Sequence, residues 1–501
     1  MKRYYLGVDQ GTTGTTALLV DENWNEVAQA NVEHSQIYPH PGWVEHDPEE
    51  IWLAFHAVTE KVLKKAGAKP SQIIALGLDH QGETCTVWRK DTGKPVYNAL
   101  VWQDRRTAGV ADELNEKYGD MIKKRTGLQP DAYYSATKIQ WILNNVEGVR
   151  EEISKGNIMA GTLDSYLIWR LTGKKVFITD TGTASRTMMI DLARGEWDQE
   201  LLDIYGIPKE ILPTIMNSSQ VYGYTDPSEF FGVRIPIGAC ITDALAAMFA
   251  QACLDEGDIK TTYGTGCFMY TNLGDTIKYS DGVITVAAWK INDKITYTFD
   301  GGVYIAGAAV QWLRDKMRLI WNSAESDRIA ASAADTGGVY FVPAFSGLAA
   351  PHWDQYARGM IIGITGGTSR EQIVRATLES IAFQVYDNAM EMQKDSGTVF
   401  EAMKVDGGPV KNNFLMQFQA DILGKPVAVP TVTEMTPYGS ALLAALATGG
   451  LGKMDDVRDI WKADKYFTPQ MSEDERLARL AQWNRAVERC KSWANPGEGG
   501  F

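Results

Sequence analysis

Cysteine is scarce in this chain, and its arrangement excludes two of its usual uses. Among 501 residues there are five, Cys85, Cys240, Cys253, Cys267 and Cys490, an odd number without CxxC spacing. That argues against a disulfide framework and against a cysteine-ligated zinc site, and it suits a reducing cytoplasm. The six histidines are scattered. There is no HExxH, no GxxxxGK[ST] and no GxGxxG opening a helix after a strand, so zincin, P-loop and dinucleotide-binding chemistries have little support. Basic residues are outnumbered, and the net charge of −14 is the wrong sign for a surface that must displace counterions from nucleic acid. No apolar stretch approaches a membrane span, and the first strand follows within a few residues of Met1 without a signal-like segment. The expectation is a soluble cytoplasmic protein. It is too long for one ordinary core, so two domains are expected, divided at 1–252 and 253–501.

What is present is organised around Tyr4 to Val20. Two apolar runs flank Asp9-Gln10-Gly11-Thr12-Thr13-Gly14, which predicts a β-hairpin whose turn suits phosphate. Gly11 and Gly14 let the backbone approach an anion, and the threonines supply hydroxyl donors. Asp9, at the end of a buried strand, is placed to hold hydrated Mg²⁺ against phosphates. A third strand is predicted over Glu26 to Val32, and the three together suit the opening of a ribonuclease-H-like domain.

Asp47-Pro48-Glu49-Glu50 predicts a capped helix running to about Lys65. Ile73 to Leu78 reads as a short apolar strand ending in Asp79-His80-Gln81-Gly82-Glu83-Thr84, and Ala99 to Trp102 as another ending in Gln103-Asp104-Arg105-Arg106. Polar residues just beyond a buried strand are where α/β domains bind ligands. Lys138 to Leu143 predicts a helix packed on the first domain. Asp243, after the apolar Ile235 to Ile241, is read either as a helix N-cap or as a functional carboxylate. Leu254 to Asp258 reads as a linker.

Beyond it, Ile259 to Tyr263, Gly264-Thr265-Gly266 and Cys267 to Tyr270 repeat the strand, Gly/Thr turn and strand of the opening. Two such hairpins half a chain apart predict a duplicated fold with two phosphate-contacting turns facing one cleft. Asp406-Gly407-Gly408, after the strand-like Ala402 to Val405, leads into a predicted helix over Asn412 to Leu423 whose first amides suit a phosphate or ribose. The tail from Asn495 to Phe501 reads as loose.

Assembled, these stretches resemble the FGGY carbohydrate kinases, and among them the glycerol kinases, over roughly Tyr5 to Leu451. The resemblance rests on Asp9 to Thr13, Pro41 to Pro48, Tyr263 to Phe268, Gln311 to Asp315 and Asp406 to Gly408, with further family segments at Tyr133 to Asn145 and Gly359 to Glu379. It implies two actin-like α/β domains flanking a catalytic cleft, Mg²⁺-ATP mainly on the second and a small polyol or sugar on the first. It makes Asp243 the base that takes the proton of the attacking hydroxyl, a role that suits a loose phosphoryl transition state. It puts Asp9 by the metal, Thr12, Thr13, Thr265 and Gly266 by the phosphates, and Gly307, Gln311, Gly408 and Asn412 by the nucleotide. Gln81, Glu83, Trp102, Tyr133 and Phe268 fall at the substrate pocket. The family's habit implies a homodimer or homotetramer.

Two pocket positions depart from the glycerol kinases: Gly82 stands for an arginine and Ala244 for a glutamine. Both lost side chains hydrogen-bond glycerol hydroxyls in those enzymes, and together their loss would cost glycerol roughly 30- to 2000-fold if uncompensated. The expectation is a kinase of a polyol or ketose larger than or different from glycerol. The alternatives are a true glycerol kinase whose gaps are filled by water or a neighbouring side chain, and a non-catalytic actin-like sensor. A third departure is Ser228-Glu229-Phe230-Phe231-Gly232-Val233-Arg234 where many bacterial glycerol kinases carry Gly-Gly-Lys-Gly-Gly-Thr-Arg, a loop that binds a sugar bisphosphate; loss of that anion site is expected.

Overall fold

Tyr4–Gln10 (β1) is buried at every position except the half-buried Asp9, so it lies inside a sheet covered on both faces. The computed structural model, which describes residues 2–494, shows that sheet; the tail expected to be loose lies outside the described residues. β1 pairs antiparallel with Gly14–Asp21 (β2), Asp9 facing Thr16, and β2 with Glu26–Glu33 (β3). On its other side β1 runs parallel to Ile73–His80 (β4). The remaining strands are Ser219–Tyr224 (β5) and Pro236–Thr242 (β6), and the sheet order is β5-β6-β4-β1-β2-β3.

The second sheet repeats the plan. Ile259–Tyr263 (β7) and Cys267–Gly274 (β8) form the hairpin, Ile284–Ile291 (β9) and Lys294–Val303 (β10) extend it, and Met403–Asp406 (β11) runs parallel to β7. With Val427–Pro430 (β12) and Ala463–Phe467 (β13) the order is β9-β10-β8-β7-β11-β12-β13. The run β3-β2-β1-β4-β6 thus has its counterpart in β10-β8-β7-β11-β12, the duplication that the two Gly/Thr hairpins predict.

The helices that position the site begin with Pro48–Ala66 (α1). Asp47 accepts from the Glu49 amide, Glu49 and Glu50 occupy the first turn and Lys64 and Lys65 the last, and Gly67 ends it in the left-handed region; its Ile51, Phe55, Val58 and Val62 face is buried. Then come Ala108–Thr126 (α2), Ser135–Asn145 (α3), Thr181–Ser185 (α4), Asp243–Ala250 (α5), Gly307–Asp315 (α6), Arg370–Ser396 (α7), Asn413–Leu423 (α8) and Met435–Ala447 (α9). Although α9 comes late in the chain, it lies on the first sheet. Two glycines make that approach: a Cβ on Gly7 would stand 1.8 Å from the Pro437 carbonyl oxygen, and one on Gly77 2.0 Å from that of Ser440.

Two local expectations are corrected. The strand at Ala99 ends at Leu100; Trp102 leaves it because a turn forms, with the Asp104 amide bonded to the Val101 carbonyl and the Trp102 amide to Thr84 Oγ1. Asp243 is the first helical residue rather than the cap, a position that Thr242 takes.

Candidate active site

Parallel pairing brings three strand ends together. Asp9 of β1 faces Asp79 of β4, Asp79 faces Ile241 of β6, and β6 delivers Asp243 at the start of α5. This is the carboxyl edge, where such sheets bind ligands. The Oδ1 of Asp243 accepts the Ala244 amide at 2.6 Å. Burial pushes the Asp243 carboxyl above the usual range, and the Asp9 carboxyl is raised by burial and by the Asp243 charge. Asp79 is raised further, by burial and then by Asp9. Thr436 Oγ1, in the first turn of α9, donates to Asp9 Oδ2 at 3.0 Å.

The other Asp9 oxygen and both Asp79 oxygens are buried without a hydrogen-bond partner. Crowded, unsatisfied carboxylates fit a divalent cation. Among the described residues no group of three or more His, Cys, Asp or Glu side chains is arranged to hold a metal alone. Asp9 would therefore share a Mg²⁺ with phosphate oxygens and water, the arrangement that ion prefers.

The pocket expected to hold the polyol is built from loops that follow β4, Leu100 and Gln129. Gln81 Nε2 donates to Gln10 Oε1 at 3.1 Å and to the Gly11 carbonyl at 3.2 Å, and lies 3.3 Å from His46 Nδ1. The other ring nitrogen of His46 meets Gln36 Oε1 at 2.9 Å, and Gln36 in turn donates to the Thr12 carbonyl. Trp102 Nε1 donates to Thr12 Oγ1 at 2.9 Å, and its ring meets Tyr133 edge-on at 5.6 Å. Lys138, fully buried in α3, donates to the carbonyls of Ala132, Tyr133 and Tyr134 and so fixes the backbone behind that tyrosine. Phe268, on β8, borders the same apolar cluster as Ala244.

Glu83 is 2 % exposed, and its carboxylate accepts from Arg186 Nε. Arg186 follows α4, reaches Asp300 of β10 through Nη1 at 2.8 Å, and has Nη2 3.5 Å from the Tyr133 hydroxyl. Burial raises Glu83 while the guanidinium draws it down. Gly82, at φ +37°, turns a bare backbone towards this arginine: a Cβ there would lie 3.5 Å from Arg186 Nε and 3.8 Å from its Cδ.

The cradle expected to hold the nucleotide is made of glycines from three elements. A Cβ on Gly307 would stand 2.5 Å from the Gly264 carbonyl oxygen, and one on Gly407, at φ +94°, 2.1 Å from that of Tyr263. These contacts press α6 and the turn after β11 against the β7–β8 hairpin, where the Thr265 carbonyl accepts the Ala306 and Ala308 amides. Gly408 opens onto space with nothing within 4 Å. Thr265 and Gln311 are exposed, Gly266 is buried, and Gln311 stands one helical turn from Gly307 on α6. At the hairpin after β1, Thr12 is half-buried and Thr13 exposed. Asn412 caps α8 through Oδ1 on the Leu415 amide, while its Nδ2 donates to Ser326. Backbone N–H groups and open glycine faces of this kind fit a nucleotide's phosphates and ribose.

The models of the FGGY carbohydrate kinase N-terminal and C-terminal domains match residues 4–250 and 259–448. The chain belongs to the FGGY family of carbohydrate kinases. It is an ATP-dependent sugar or polyol kinase with the actin-like ATPase fold. It is 52 % identical to glycerol kinase 2 of Thermotoga maritima over 493 residues, 98 % of this chain and 99 % of that one. The crystal structure of Plasmodium falciparum glycerol kinase with ADP superposes with a TM-score of 0.92 at 36 % identity, covering 98 % of each chain. A gluconate kinase from Lactobacillus acidophilus superposes at 0.86 with 25 % identity, again over 98 % of each chain.

Sequence reasoning missed several residues at this FGGY site. Arg186 and Asp300 lie 103 and 217 positions from Glu83 and carry no local motif; only the topology joins them. His46 and Gln36 escape as second-layer supports, although His46 lies within Pro41 to Pro48. Asp79 is marked by its place after the apolar run Ile73 to Leu78, and it is the pairing with β1 that sets it beside Asp9.

Proposed function

We propose that this kinase transfers the γ-phosphoryl group of Mg²⁺-ATP to a terminal hydroxyl of a small polyol, with Asp243 as the base. Residues 1–252 hold the acceptor and part of the phosphate site, and residues 253–501 hold the nucleotide. One observation carries this reading: Asp243 shares the strand edge with Asp9, whose carboxyl feels its charge. An alcohol is a weak nucleophile, and a fixed carboxylate accepts its proton as the P–O bond forms. Mg²⁺ bound at Asp9 would neutralise phosphate charge. Thr12, Thr13, Thr265 and Gly266 would bind the phosphates, and Gly307, Gln311, Gly408 and Asn412 the nucleoside. Gln81, Glu83, Trp102, Tyr133 and Phe268 would surround the polyol. The five free, buried cysteines suit work in the cytoplasm.

The relatives named glycerol kinase make glycerol the reference acceptor. A preference for a longer one would come from Gly82 and Ala244. Arg186 beside Gly82 favours glycerol itself, because a guanidinium already serves that corner. Ala244 brings no polar side-chain atom, so the case for a four- or five-carbon acceptor rests on that side. The test is ADP release with glycerol, erythritol, threitol, xylitol, ribitol, erythrulose and xylulose, compared as kcat/KM. A longer acceptor leading the panel supports the Ala244 argument, and glycerol leading it refutes that argument. No polyol-dependent ADP release at all would refute the kinase assignment for this substrate class.

A further inference from the structure

The bare backbone of Gly82 faces the side chain of Arg186. We propose that Arg186 is a substrate-contacting residue that determines acceptor specificity: its guanidinium donates to a polyol hydroxyl in the corner that Gly82 leaves without a side chain, while it orients the Glu83 carboxylate. The inference rests on the reading of this pocket as the polyol site.

Four observations support it. Arg186 is 4 % exposed and Glu83 2 %, so the guanidinium is held in the interior rather than being a surface group. The stem passes the bare face of residue 82 at van der Waals distance from where a Cβ would be; a side chain longer than alanine there would compete for the same volume. Glu83 and Asp300 hold Nε and Nη1 from opposite sides, which fixes the plane of the fork. Each Nη carries a second N–H beyond those contacts, and the 3.5 Å reach of Nη2 to the Tyr133 hydroxyl is at the outer limit of a hydrogen bond. A substrate hydroxyl entering between Tyr133 and Glu83 exchanges that long contact for a shorter one.

Glu83 accepts and Arg186 donates, side by side. This pair recognises a hydroxyl that both gives and receives a hydrogen bond, or two adjacent hydroxyls, one on each partner. The chemistry selected is a vicinal diol next to the reacting carbon. A mono-alcohol or a 1,3-diol leaves one member of the buried pair without its partner, and buried polar groups left unpaired are what make such sites discriminate.

The experiment is a cycle between enzyme and substrate. Arg186→Gln, which is shorter and uncharged but keeps some donor capacity, and Arg186→Lys, which keeps the charge, are compared with the parent on glycerol, propane-1,2-diol and propane-1,3-diol, and on erythritol and butane-1,2,4-triol. Losing a hydrogen bond to a charged group should lower kcat/KM of Arg186→Gln on glycerol or erythritol by about tenfold or more. On the analogue that lacks the contacted hydroxyl the fall should be at least about tenfold smaller than on glycerol, what remains of it being the loss of Glu83 orientation that every acceptor shares. The KM for ATP should be unchanged. A residue that only holds Glu83 in place would depress every acceptor by the same factor, and that result overturns the proposal, as does an unaltered glycerol-to-diol ratio. Should Arg186→Gln misfold, the same ratio in Arg186→Lys decides. A parent that phosphorylates no member of the panel would instead overturn the polyol reading, so the two failures are distinguishable.

Discussion

Replacing Gly77 by alanine tests how the catalytic edge is held. The new Cβ would stand 2.0 Å from the backbone oxygen of Ser440, whereas ordinary contact begins near 3.4 Å. The difference, 3.4 − 2.0 = 1.4 Å, has to be taken up by moving α9 away from the first sheet, because the obstacle is main chain on a helix packed over β1, β4 and β6 and no rotamer relieves it. Forcing a methyl group into such a contact costs about 1–3 kcal/mol. The functional effect should exceed the thermal one. α9 carries Thr436, which bonds Asp9 at 3.0 Å, and a misplacement of about 1 Å near reacting groups costs on the order of 10²-fold in rate. Gly77→Ala should therefore show a lower melting temperature, a kcat reduced by about 10²-fold and a weakened response to Mg²⁺. Gly109→Ala is the control. Its Cβ meets nothing within 4 Å and it lies in α2, so this substitution should leave kcat alone and stabilise by up to about 1 kcal/mol. If Gly77→Ala matches the parent in melting temperature, kcat and Mg²⁺ dependence, α9 does not position Asp9.

Asp243→Asn keeps the size of the side chain and an oxygen for the Ala244 amide but removes the proton acceptor; kcat should fall by about 10²–10⁴ with little change in KM, and near-normal turnover would falsify the assignment. His46 is buried, and burial lowers its pKa from 6.5 to about 3. The unfolded chain therefore binds the extra proton between those values, and the contribution to stability, complete above pH 6.5, falls as pH drops through that window, by about 2 kcal/mol at pH 5. Denaturation at pH 7 and pH 5 should show a smaller loss in His46→Gln than in the parent; equal losses would show that His46 is protonated in the folded protein. At the loop over 228–234, Phe230 is fully buried and the Arg234 guanidinium stacks 4.2 Å from the Tyr224 ring centre, so activity should stay flat across fructose 1,6-bisphosphate concentrations, and clear inhibition would reveal another anion site.

The strands and helices next to the site were legible because local chemistry decides them. Asp47-Pro48 caps α1, alternating apolar residues make β3, and the Gly/Thr clusters turn both hairpins where expected. Asp9 was legible for the same reason, as a polar residue near the end of an apolar run, whereas Asp243 was locally legible only as a cap or a functional carboxylate, and its reading as the base comes from the family resemblance. Less visible was anything decided across the sheet. Trp102 extends the apolar run that begins at Ala99 and yet belongs to a turn, because Thr84 captures its amide. That Asp79 stands beside Asp9 follows from parallel register, and that α9 covers the first sheet follows from Gly7 and Gly77, whose missing side chains are informative only once the helix is in view.

The same distinction bears on substrate choice. Read along the chain, Gly82 is a loss of one donor and of volume, and the consequence drawn is a larger pocket. Read in space, the position faces a guanidinium anchored by two carboxylates, Glu83 from the first half of the chain and Asp300 from the second. All three groups are at most 7 % exposed. Breaking one of these bonds would strand a buried charge at a cost of several kcal/mol, so the corner keeps its shape whether or not an acceptor is present, and an acceptor must satisfy the donors and lone pairs that remain. If the acceptor binds there as proposed, such a preset corner would select by hydroxyl pattern more strongly than by length. Length is then left to the Ala244 side, where one small apolar side chain borders the cluster that also receives Phe268. On the proposed reading of this pocket, a chain extended by one or two carbons would gain apolar contact there without needing a new polar partner, and the two departures from the glycerol kinases would act on different properties of the acceptor.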